Sequence, residues 1–242
     1  MKVRPALALC LPGLCLLAGP VLAQDLSINL GDDAGLAGRS ITLLALITLL
    51  SLVPGLAVMI TCFPFIVTVL SILRQAIGLQ QAPPNMLIVS LALFLTWFVM
   101  DPVLTEAWVA GVEPLTRGAV DVQTAVPRIL APFRGFMAAR LDLDTFAVLQ
   151  GLRPAAPTGP AEAPLSLLVP SFMLSEVQRA FEIGFLIYLP FLIIDLVVAA
   201  VLMSMGMMMV PPAVVSLPFK LAFFVVADGW SLVSGALVRS YF

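Results

Sequence analysis

Apolar residues gather along this chain into long blocks at 41–73, 86–104, 183–210 and 213–238. As a helix of 1.5 Å rise per residue, the first block would run about 50 Å, well beyond a hydrocarbon core of about 30 Å. It is therefore expected to bend or break, and Pro54-Gly55 and Pro64 mark the places. The second block is entered through Pro83-Pro84 and is about one membrane span long. Pro211-Pro212 separates the third from the fourth. Between the second and third blocks the pattern changes. Arg117, Asp121, Arg128, Arg134, Arg140, Asp142, Asp144 and Arg153 are spread through 106–182, with a Pro/Ala-rich connector at 154–164. Within that stretch Ile129, Phe133, Phe136, Met137, Phe146 and Leu149 recur near helical spacing, which fits an amphipathic helix and serves a core face or a binding face equally well. The predicted fold is an all-α integral membrane protein. Two apolar helical hairpins with broken helices (41–104 and 183–242) are joined by a helical exterior segment (105–182).

Composition sharpens this reading. Of 242 residues 61% are hydrophobic and 11% charged, far from the roughly one-quarter charged surface of soluble domains. The net charge of −2 gives no basic stripe for nucleic acid. Lys2 and Arg4 precede a short apolar stretch and the small-residue pattern Val21-Leu22-Ala23, which predicts a signal peptide over 1–23. The alternative, an uncleaved first helix, is disfavoured by Pro12-Gly13 and by length. A flexible mature N-terminus (24–40) would then start outside the cytoplasm, which makes 105–182 periplasmic and the turns near Arg74 and Pro211 cytoplasmic. Cys62 is the single cysteine of the mature chain, so no intrachain disulfide forms, and it is expected to pack as a small hydrophobe. Histidine is absent, which removes imidazole-based metal sites, triads and proton shuttles. No catalytic, cofactor or metal site is expected.

Asp195, Lys220 and Asp228 lie inside apolar blocks, where an unpaired charge at bilayer depth costs on the order of 3 kcal/mol or more. Partner charges, a water-filled cavity or packing inside an oligomer would each compensate; an ion relay is the sharper alternative. Glu176, Arg179 and Glu182 recur every three residues and are expected to share one side of a helix, from which Glu176 or Glu182 offers Lys220 a carboxylate. Met203, Met205, Met207, Met208 and Met209 crowd just before Pro211. Their flexible thioethers suit a yielding closure around an opening, and equally suit plain filling of a helix end.

Read as words, several segments are specific: LPFLIIDLVVAAVLMSMGMMMVPP (189–212), LPFKLAFFVVADGW (217–230), APPNMLIVSLALFLTWFVMDPV (82–103) and SEVQRAFEIGF (175–185). They closely resemble the FliP family of flagellar type III export proteins, whose relatives in virulence type III secretion share these words. The resemblance covers nearly the whole mature chain. It implies a subunit of the export gate in the bacterial inner membrane, within the flagellar basal body. Several copies would assemble with FliQ-like and FliR-like membrane subunits and other export apparatus proteins into a helical pore for unfolded substrates. It further implies that Met207, Met208 and Met209 form a gasket around the closed pore and that Glu176 and Lys220 bridge neighbouring subunits. Asp195 and Asp228 are buried charges to which it gives no role. The chain departs from the family at Pro64-Phe65, where relatives usually place a basic group, at Asp101, and around 141–144. Within the resemblance the alternative is a core subunit of a virulence type III secretion system; outside it, a transporter working through Asp195, Lys220 and Asp228, and a membrane enzyme, are the rival readings. Neither inverted repeats nor a convergent nucleophile and base support them.

Overall fold

The structure is a computed structural model that describes residues 36–79, 83–153, 159–207 and 209–242. The expected signal peptide, most of the expected mature N-terminus and Met208 lie outside the described residues. All described elements are helical: α1 (Leu36–Met59), α2 (Phe63–Ile77), α3 (Asn85–Ala107), α4 (Glu113–Thr116), α5 (Val122–Arg140), α6 (Leu143–Gly151), α7 (Leu165–Ser204), α8 (Pro212–Val226) and α9 (Gly229–Arg239). A π-helical turn, Trp108–Val112, joins α3 to α4. The chain divides into two units, residues 1–50 and 51–242. Of the first, the start of α1 is what is described; the architecture below is that of the second.

The axis of this unit is α2. Phe65, Ile66, Val69, Leu70, Leu73 and Ile77 repeat in steps of three and four, which lines them along one side of the helix. Each is at most 2% exposed, and the stripe packs against α7, α3 and α8. Pro64 stands in the first turn, where its missing N–H leaves no hydrogen bond unmade. Of the two expected break points the chain uses this one: α1 runs through Pro54 and ends at Met59. Gly78 closes α2 at φ +89°, its N–H donating to the Gln75 carbonyl.

The longest element is α7, 40 residues and about 60 Å, twice the thickness of a hydrocarbon core. It begins within the segment expected to be exterior and passes residues 182–183 without a break. Charges at Glu176, Arg179 and Glu182 mark a change of surroundings along one helix, because backbone hydrogen bonding continues whatever the side chains. Near its start α7 shares a second core with α5 and α6, built on Met137, Leu141, Phe146, Leu167, Leu168 and Phe172. The stretch expected as one amphipathic helix is two, broken at Leu141-Asp142. Asp142 caps α6 by accepting from the backbone N–H and the hydroxyl of Thr145, as Asp121 caps α5 through the Thr124 N–H. These bonds hold both carboxyls below the usual carboxylate range. Their contribution is complete above the ordinary carboxylate pKa and fades as pH falls through the lowered value.

Outside these cores the surface is apolar. Phe94, Trp97 and Phe98 on α3, Phe185, Ile193 and Leu196 on α7, and Val214 and Phe219 on α8 are exposed. Only 11% of the most apolar stretch of α7 is buried within the chain, a surface that water would not stabilise. Among the described residues, two helical stretches, Asn85–Thr116 and Leu165–Ser204, are long and apolar enough to cross a membrane. The number rises to four if the broken pairs Leu43–Met59 with Phe63–Ile77 and Pro212–Val226 with Gly229–Arg239 each count as one span.

The contact of α7 with α2 is close at Gly184, where an added Cβ would stand 2.4 Å from Ile72 Cδ1 and 3.3 Å from Ile72 Cβ. Gly184→Val is expected to destabilise the protein by about 1–3 kcal/mol through overpacking. Thermal unfolding in detergent measures it, and combination with Ile72→Ala should recover a good part of the loss.

Candidate functional site

The sequence-predicted residues fall on one feature, a hairpin in which α7 runs out to a methionine-rich turn and α8 and α9 return. Local sequence closes the tip. Gly206 adopts φ +77°, and the Met207 N–H reaches the Leu202 carbonyl at 3.0 Å while the Gly206 N–H reaches that of Met203 at 3.1 Å. This crossed pair of bonds is the Schellman arrangement that ends helices on glycine. Pro211 is extended and Pro212 opens α8, so helix cannot propagate across the turn. Met203, Met205, Met207 and Met209 are exposed here, Met209 at 96%. Thus the methionines do not fill a core of this chain. Beneath the tip, α7 and α8 leave an apolar groove of about 710 Å³ lined by Ile193, Val197, Val201, Met205, Met207 and Phe219 among others.

Midway along the hairpin lies a part-buried ion pair. Lys220 on α8 is 5% exposed. Its Nζ donates to Asp195 Oδ2 on α7 at 2.6 Å and to the Ala76 carbonyl at 3.1 Å. Ser216, one turn before Lys220, donates to the other Asp195 oxygen at 2.5 Å. Ala76 belongs to the last turn of α2, where unpaired carbonyls and the helix dipole favour a cation. One buried ammonium therefore answers both a half-buried carboxylate and a helix end, and two of the three charges read from the apolar blocks compensate each other. The third, Asp228, was expected to be buried; it is exposed on the single chain. It stands at φ +47°, a backbone region that aspartate tolerates better than most residues, at the 62° bend between α8 and α9.

The base of the hairpin holds Glu176, which is fully buried. Its Oε1 accepts from Arg140 Nε at 3.3 Å and lies 3.9 Å from Arg179 Nη1. Its Oε2 accepts from the Tyr241 hydroxyl. Glu182 is exposed and accepts from Gln178 instead. The expectation that Glu176 and Glu182 share a helix side fails, because three-residue steps fall behind a 3.6-residue turn and leave these two about 120° apart. Within the chain, then, Lys220 takes Asp195 rather than Glu176 or Glu182. A neighbouring subunit's ammonium would reach Glu176 only by displacing Tyr241 or Arg140. The roles of Asp195 as carboxylate and of Tyr241 as anchor were missed from sequence. The LIIDLVV run marks Asp195 as a charge needing a partner, whereas nothing local marks Tyr241.

Removing Asp195 leaves the buried Lys220 ammonium without its carboxylate, which costs on the order of 3 kcal/mol; removing Lys220 leaves the Asp195 carboxylate, 29% exposed, open to water and costs less. Asp195→Asn and Lys220→Met should each lower detergent thermal stability accordingly, and the double variant should lose less than either. Losses that simply add would show that the two groups do not compensate one another.

A model of the FliP family matches residues 46–237. The flagellar biosynthetic protein FliP of Caulobacter vibrioides is 50% identical over 225 residues, covering 93% of this chain and 85% of that protein. That of Agrobacterium fabrum is 46% identical over 242 residues, covering 99% of this chain and 98% of its own length. The FliP of Bacillus subtilis is 40% identical over 219 residues, covering 90% of this chain and 99% of that protein. With the matched region spanning all three levels of the hairpin, the chain belongs to the FliP family.

Proposed function

We propose that this chain is a non-enzymatic, pore-forming subunit of the flagellar type III export gate, conducting unfolded flagellar substrates across the inner membrane. The observation that carries the reading is a hairpin whose tip carries exposed thioethers and whose flanks are exposed apolar helices. Such flanks must be covered by lipid or by other subunits. Copies of this chain with FliQ-like and FliR-like subunits would cover them, the groove beneath the tip included, and would bring the tips together around a shared path. Met207, Met208 and Met209 then close that path. Unbranched thioether side chains fit an irregular constriction and yield to passing chains, and a closed apolar constriction excludes hydrated ions by dewetting.

In this reading the part-buried Asp195–Lys220 pair holds α8 to α7 and carries no ion. Bridging of Glu176 to a neighbouring subunit's Lys220 would replace the contacts inside the chain rather than add to them. Glu176→Lys should weaken assembly, and partial rescue by Lys220→Glu would favour the bridge.

The closing role is tested by shrinking Met207, Met208 and Met209 together to Ala in the assembled complex. Resting leak of small ions should rise several-fold with the amount of assembled complex unchanged. An unchanged leak would leave these methionines without a closing function.

A further inference from the structure

The hairpin is closed at its base as well as at its tip. From Glu176 to the end of α7 is about 40 Å of helix, and α8 and α9 together return nearly the same length. The segment after α9 thereby arrives back beside Glu176. There Arg140 Nη1 donates to the Ser240 carbonyl at 2.7 Å. The Arg140 guanidinium lies 4.0 Å from the centre of the Tyr241 ring. Phe136 stacks near that ring at 6.1 Å and Phe65 meets it edge-on at 5.6 Å. The Tyr241 hydroxyl donates to the Glu176 carboxylate. Four separate elements, α2, α5, α7 and the segment after α9, thus converge on one buried carboxylate. Arg140 serves two residues of that segment, Ser240 and Tyr241. Apart from this node, α9 packs against α8 and α3 through a narrow stripe that buries Val233 and Leu237.

We propose that Tyr241 and Arg140 form a latch on Glu176 that fixes the α8–α9 arm against α5 and α7, and so holds the methionine tip in its closed position. The latch acts through position: pulling the segment after α9 from Glu176 frees α9 to swing about the Asp228 bend, and α8 connects that bend directly to the tip. A hydroxyl on a buried carboxylate, with a guanidinium over the ring, is strong while intact and is lost as a unit when the ring leaves. The part of the proposal that concerns the tip rests on the pore reading above; the part that concerns α9 does not.

Tyr241→Phe removes the hydroxyl and keeps the ring, and Arg140→Lys keeps a charge while losing the fork that reaches both Glu176 and Ser240. Both should assemble at wild-type levels with the partner subunits. In the assembled complex, amide hydrogen exchange over residues 229–239 should speed by about tenfold, as expected for the loss of one hydrogen bond to a charged acceptor. Resting ion leak should rise with it, while exchange over α5 stays as in the wild type. Unchanged exchange over 229–239 in both variants would overturn the latch. Faster exchange without leak, in complexes where the methionine-to-alanine variant does leak, would overturn its link to closure. If the methionine variant does not leak, the pore reading falls, and exchange over 229–239 alone decides whether the latch exists.

Discussion

A charge placed among apolar helices has to be answered inside the protein, and that requirement organises the α7 to α9 hairpin. Lys220 satisfies it by reaching the Asp195 carboxylate and the carbonyl end of α2 together. A pair with its ammonium buried adds little net stability, because desolvation offsets most of the attraction. Its contribution is geometric: the ammonium meets both acceptors in one register of α8 against α7 and α2. The same logic recurs at Glu176, where two guanidinium groups and a phenol surround a carboxylate with no solvent contact. Between these two levels the helices are free to be apolar on their outer faces, since polar groups fix their arrangement.

The exposed apolar surface follows from this division. In a soluble protein the stripe of α2 would be one of several inward-facing stripes; here the large side chains of α3, α7 and α8 face outward in quantity. Their covering comes from outside the chain, and under the proposed function the methionine tips meet where that covering is complete. Gly206 and Pro211-Pro212 build a tip that helix cannot cross, and the tip stands at the end of two helices whose spacing is set by the ion pair below.

Much of this was legible in sequence, for identifiable reasons. Long apolar blocks punctuated by prolines gave the helices, and Pro64 gave the break before α2, since proline in a first turn is a strong local signal. Pro54 misled because a proline inside an apolar helix is tolerated where neighbouring groups satisfy the freed backbone. No helix end stands at 182–183, because the composition change there reports side chains and α7 continues through it. Leu141-Asp142 was readable in principle, as an aspartate three residues before a threonine that it caps, but the apolar spacing on either side masked it. Asp195, Lys220 and the methionine run announced themselves as chemistry out of place. Which carboxylate meets Lys220 was not readable, because that depends on the rotation of α7 relative to α8. Nor was Tyr241, a residue whose meaning comes wholly from three elements distant in sequence.

The account stands on this chain being one of several copies in a defined complex that covers its apolar flanks. Native mass spectrometry of the detergent-extracted protein, expressed with and without the FliQ-like and FliR-like chains of the same genome, tests that most directly. The account predicts a discrete hetero-oligomer containing several copies of this chain when the partners are present. A stable monomer or dimer, indifferent to those partners, would contradict it.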